Sequence, residues 1–161
     1  MNPLIGAALV LVSAALQAML TGAWPRLSMF FDLPLVVVIY YGIKKGPAGA
    51  LLAGAGVGLL QDSLEGTLLG VNALAKALVG YLVGFLGLRF ALAPFMSRVL
   101  VLAAATVLSR ATEVGILAIM GRRLAYAPYP HLLLSVAGNC ILGSLLVGLL
   151  AARGMKGEII Q

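Results

Sequence analysis

The sequence predicts an all-α integral membrane protein of six transmembrane helices, and three observations predict it. Of the 161 residues, 62% are hydrophobic and only 10% charged, which leaves too little polar surface to clothe a water-soluble domain. The apolar residues come in long runs, and a helix needs roughly 20 of them to cross about 30 Å of hydrocarbon. The breaks between the runs collect the Pro, Lys and Arg residues that end helices or favour the membrane interface. Six such runs use up the chain, so residues 1–161 are expected to form one six-helix membrane domain.

The first helix is expected over residues 4–20. Trp24, Pro25 and Arg26 mark its exit, because indole rings favour the interface. No Lys or Arg precedes this run and no convincing small-residue cleavage site follows it, so it is read as a retained helix. Phe30, Phe31, Asp32 and Pro34 open the second, which runs through the β-branched stretch Val36 to Ile39 and on to Tyr41. Pro34 suits a first helical turn, where its missing N–H costs nothing. Lys44, Lys45, Gly46 and Pro47 make the next turn. The third helix, residues 48–60, contains Gly49, Gly54, Gly56 and Gly58. It covers only about 20 Å, which places Gln61, Asp62, Ser63 and Glu65 in a recess below the membrane surface. The fourth is expected over residues 67–88, with Asn72 and Lys76 inside it. Residues 89–98 read as an amphipathic connection along the interface. The fifth and sixth helices follow over residues 99–120 and 132–152. No convincing internal repeat is found.

The net charge of +6 does not point to nucleic acid, since the basic residues stand singly or in pairs between apolar runs and not on one face. They do orient the chain. With a cytoplasmic N-terminus, the inner connections and tail carry Lys44, Lys45, Arg89, Arg98, Arg153 and Lys156, against Arg26, Arg122 and Arg123 outside. That bias predicts cytoplasmic N- and C-termini.

Ionisable groups within apolar helices are costly and normally face protein or a polar cavity. Arg110 and Glu113, three residues apart on the fifth helix, share a face and can pair there, or one of them can reach another helix or a partner. Lys76 has Asn72 one turn before it and no acid on its helix, so its partner must come from elsewhere: Glu113, Asp62 or the interface. Asp62 reads either as a helix-end carboxylate or as a cap for the start of the fourth helix, with Gly66 supplying a turn. Ala50, Gly54 and Gly58, with Gly80 and Gly84, recur at four-residue spacing and give flat faces for close helix packing, within the bundle or against a partner's helix. No enzyme activity, metal or cofactor is expected. His131 is the only histidine and Cys140 the only cysteine, and of the five acids only Glu113 is expected in mid-membrane.

The stretch from Gly58 to Leu74, reading GLLQDSLEGTLLGVNAL, resembles the signature of the bacterial rod shape-determining protein MreD family. That signature is a glycine-rich helix ending in aspartate, a short Gly-containing turn, and a Leu-Gly-x-Asn/Arg-Ala-Leu helix start. Asp62, Gly66, Gly70, Asn72 and Ala73 are the matching positions. The chain departs from the family's Pro-Asp before the second helix, having Asp32 ahead of Pro34, so Asp32 is a loose match. The resemblance implies a non-enzymatic scaffold subunit of the cell-wall elongation (rod) complex in the bacterial inner membrane. Its implied partners are MreC, a single-span protein, and through the complex RodA, its transpeptidase partner and MreB, beside membrane lipids. The family is also similar in fold to the substrate-binding subunits of energy-coupling-factor vitamin transporters, which supplies the alternative function. Trp24, Asp62, Glu65, Tyr126, Tyr129 and His131 would line the cavity such a subunit needs.

Overall fold

The computed structural model describes residues 3–28, 30–89, 95–121 and 129–152. It is all-helical, with no strand among the described residues: α1 (Pro3–Ala23), α2 (Pro25–Ser28), α3 (Leu33–Glu65), α4 (Val71–Arg89), α5 (Phe95–Ile119) and α6 (Tyr129–Ala152). Val99–Ile119 has both the length and the hydropathy of a membrane crossing, and Leu33–Glu65 has them when its two arms, described below, are counted together. Ala8–Ala23, Val71–Gly87 and Leu132–Leu145 are shorter apolar stretches.

α3 is one helix by hydrogen bonding and two by direction. Gly46 has φ 77° and ψ −176°, a conformation that only glycine adopts without strain. Pro47 then starts the return, where a proline costs no hydrogen bond. Gly42 faces Ala50 across the bend, close enough that a Cβ on Gly42 would lie 3.2 Å from that of Ala50. The arms, residues 33–45 and 47–65, therefore form a hairpin, and the turn expected at residues 44–47 is where the chain reverses.

Three expected boundaries are corrected. The second arm runs on to Glu65 instead of ending at residue 60, because Ser63 Oγ donates back to Leu59 O at 2.8 Å and Gly66, at φ 65°, closes the helix. Gln61 and Asp62 are therefore buried side chains of a last helical turn, while Ser63 is exposed. The fourth helix starts at Val71 and not at residue 67, since residues 66–70 are held as a loop by Asp62. The fifth starts at Phe95, four residues early, which takes in the end of the expected interfacial connection. Residues 90–94 of that connection lie outside the described residues, as do Arg122, Arg123, Tyr126, Arg153 and Lys156.

The second arm of α3 runs antiparallel to α4 with the two backbones in contact. A Cβ added to Gly54 would collide with the backbone of Lys76 and Ala77, one on Gly58 with Asn72 and Ala73, one on Gly80 with Ala50, and one on Gly84 with Gly46 and Pro47. Small residues four apart on both helices thus mesh into one seam. Leu35, Val36 and Ile39 of the first arm pack with Val79 and Val83 of α4 and with Leu102 and Ala105 of α5. Ala14 of α1 joins Val38 and Val57, one from each arm. The hairpin is the centre of the bundle; α1, α4, α5 and α6 each contact it.

A candidate site: the buried polar lock

Because the hairpin reverses, Asp32 at its start and Asp62 near its end come to the same end of the bundle. Asp62 is fully buried, yet its carboxylate is satisfied. Oδ2 accepts from Gly70 N at 2.8 Å, and Oδ1 accepts from Asn72 Nδ2 at 2.8 Å, Thr67 Oγ1 at 3.0 Å and Asn72 N at 3.3 Å. Its own carbonyl takes the Gly66 and Thr67 N–H groups. One aspartate therefore ends α3, folds the 66–70 loop and caps the first turn of α4, where free N–H groups favour a carboxylate. Gly70, at φ 101°, gives the backbone the left-handed step that turns its N–H to the carboxylate.

Asn72 passes the polar chain inward. It donates to Asp62 and accepts from Lys76 Nζ at 3.2 Å. Lys76 has no exposed surface, and Nζ lies 3.0 Å from Asp32 Oδ2. A buried ammonium is tolerable only when paired and hydrogen-bonded, and here it bridges α4 to the N-cap of α3. Asp32 fills that cap through Oδ1, which accepts from Leu35 N at 3.0 Å, so a single carboxylate serves the helix end and the lysine together. Asp32 N–H donates to Asn139 Oδ1 on α6 at 2.8 Å, and Asn139 Nδ2 reaches Thr106 Oγ1 on α5 at 3.2 Å. From α1, Gln17 Nε2 donates to Phe31 O at 3.0 Å while its Oε1 accepts from Leu33 N at 3.2 Å. Gln17, Asp32, Asp62, Lys76, Thr106 and Asn139 are all buried, and together they tie α1, α3, α4, α5 and α6.

The hydrogen bonds and ion pair of Arg110 and Glu113 stay within α5 and do not join this lock. Arg110 Nη1 donates to Glu113 Oε2 at 2.9 Å, and Ser109 Oγ to Glu113 Oε1 at 3.1 Å, all within α5. The Arg110 side chain as a whole is one-third exposed. Of the two arrangements the sequence allows, the intrahelical pair is the one present.

The lysine's partner, Asp32, is none of the candidates the sequence offered. The available signal was a proline two residues into a helix behind an aspartate, the composition of an N-cap, which marks the acid as buried at a helix end and not as solvated. Gln17 and Asn139, lone amides in apolar runs, carried the same signal: each needs partners that the surrounding hydrocarbon cannot supply. Gly54, Gly58, Gly80 and Gly84 lie in the α3–α4 seam, so those faces are filled from within the chain and give no room to a partner's helix. Of the groups proposed to line a transport cavity, Asp62 is sealed in the lock, Trp24 is exposed, and the side chains of Tyr126, Tyr129 and His131 lie outside the described residues. Among the described residues no group of three or more His, Cys, Asp or Glu side chains is placed to hold a metal ion.

The Lys76 ammonium is bound by a carboxylate and an amide, and the Asp62 carboxylate accepts from four donors. A family model described as rod shape-determining protein MreD matches residues 1–153, a span that includes every element of the lock. No curated protein and no solved structure matches the chain.

Proposed function

Because this chain belongs to the rod shape-determining protein MreD family, whose role is in rod shape determination, we propose that it is a non-enzymatic scaffold of the cell-wall elongation complex that binds MreC. The observation that carries the proposal is the extent of the family match, residues 1–153. The lock supports it: buried charges compensated inside the bundle give a rigid body that can hold other membrane proteins in register. RodA, its transpeptidase partner and MreB are then reached through the complex.

In this reading the chain crosses the inner membrane six times, the two arms of α3 counting separately, with both termini cytoplasmic. Lys44 and Lys45 at the hairpin bend then lie on the inner side, as basic residues favour, and the Asp62 end faces outward. Labelling of a cysteine placed at the exposed Ser63 by an impermeant reagent in intact spheroplasts is expected; protection until the cells are opened would reverse the topology. For the function, depletion should round rod-shaped cells, and tagged chain should recover MreC from detergent extracts. Rod shape maintained without the chain, or no MreC in the extract, would refute the scaffold.

A further inference from the structure

At the Asp62 end, beside the lock, Thr21 of α1 and Gln61 and Glu65 of α3 form a second polar group whose hydrogen bonding does not close. Glu65 Oε1 accepts from Gln61 Nε2 at 3.0 Å and from Thr21 Oγ1 at 3.3 Å, and its second oxygen accepts nothing among the described residues. Gln61 is only 6% exposed, yet its Oε1 is buried with no hydrogen-bond partner. That oxygen belongs to the same planar amide whose nitrogen is bound to Glu65, so it lies in this cluster and cannot turn elsewhere without giving up the carboxylate. The cluster thus holds surplus acceptors and a negative charge, and an orphaned buried acceptor is a costly state. What is missing is a donor, and a cationic one suits both the charge and the free lone pairs.

The surroundings favour a donor carried by another protein segment. Trp24, three residues after Thr21, is 66% exposed and Leu64, next to Glu65, 57%, so exposed apolar side chains adjoin the acceptors along the chain. A lysine or arginine at the end of an apolar helix presents a matching pattern: an apolar body against these side chains and a charged tip in the cluster. We propose that Thr21, Gln61 and Glu65 form the socket for a basic side chain at the non-cytoplasmic end of a partner's transmembrane helix. This rests on the scaffold reading and deepens it by naming a contact point and its chemistry.

The test uses full-length chain co-expressed with MreC and purified in detergent, comparing wild type, Glu65→Gln, Glu65→Lys and Gln61→Glu. Glu65 is partly exposed, so its variants should fold, which a thermal melt of each purified variant verifies. Recovery of MreC should fall about tenfold or more with Glu65→Lys, fall less with Glu65→Gln, and hold or rise with Gln61→Glu. Changing to Glu the basic residue of MreC nearest the non-cytoplasmic end of its helix should weaken wild type equally and restore binding to Glu65→Lys. Unchanged recovery with Glu65→Lys overturns the socket while leaving the scaffold intact. So does a loss that no such reversal restores, or a lone chain stabilised by sodium or methylammonium as well as by MreC. Wild-type chain that recovers no MreC overturns the scaffold itself, and the socket with it.

Discussion

Lys76 and Arg110 are both cations on apolar helices, and the bundle treats them differently. Lys76 meets Asp32 from another helix at 3.0 Å with side-chain exposures of 0% and 5%, whereas Arg110 meets Glu113 one turn along its own helix at 2.9 Å with 33% and 13%. The first pair exists only because the tertiary fold brings α3 to α4; the second would exist in an isolated α5. A buried interhelical pair leaves an uncompensated charge when one member is lost, while the local pair is made within one helix and its loss breaks no contact between helices. The comparison separates charges that hold the fold from charges that ride on it.

The largest expected effect comes from breaking the interhelical pair. Lys76→Met leaves Asp32 charged and buried, and should destabilise the chain by about 3–5 kcal/mol, read as loss of the folded fraction in denaturant titrations in detergent. Lys76→Met combined with Asp32→Asn should recover much of that loss, because no lone charge remains. A double variant no better than the single would show that the lysine matters for its volume and not its charge.

Next comes the seam on which Lys76 sits. Gly54→Leu drives a side chain into the backbone of α4 and should cost about 3 kcal/mol, the upper end for overpacking. Gly56→Leu, two residues along the same arm but facing open space, should change the melting temperature little. Equal effects at both positions would mean that the arm's glycines act through helix propensity and not through contact.

Asp62→Asn keeps one acceptor and removes the charge that draws four donors, so a loss of about 1–2 kcal/mol is expected. Hydrogen exchange should rise first at Gly70 and Asn72, whose N–H groups point at the carboxylate; protection that stays unchanged there would remove Asp62 as the cap of α4. The smallest effect belongs to the local pair: Glu113→Gln keeps an amide oxygen that can accept from Arg110 Nη1, so the loss in the same titrations should be about 1 kcal/mol. A loss as large as that of Lys76→Met would erase the contrast and require Arg110 to act across the bundle.

Much of the architecture follows from local rules and was legible in the sequence. The apolar runs predict the helices, Gly46 with Pro47 predicts the reversal, the three-residue spacing of Arg110 and Glu113 permits their pairing, and Asp62 ahead of Gly66 reads as a helix end. The boundaries were less legible where polar residues continue a helix: Gln61 to Glu65 look like loop, yet they complete the last turn because their side chains find partners within reach. Four-residue spacing also announced that the glycine faces pack tightly, but not against what.

By itself the sequence determined the all-helical class and the hairpin's turning point and offered the intrahelical ion pair as one of two arrangements, since each depends on residues within a turn or two of one another. Only the tertiary structure decided that Asp32 neutralises Lys76, that Asn139 reaches an Asp32 amide 107 residues away, and that the small faces of α3 and α4 close on each other. Those pairings depend on how helices are arranged side by side. Periodicity shows which face of a helix is apolar or small, but many arrangements would bury the same face, and the buried charges are compensated in only some of them.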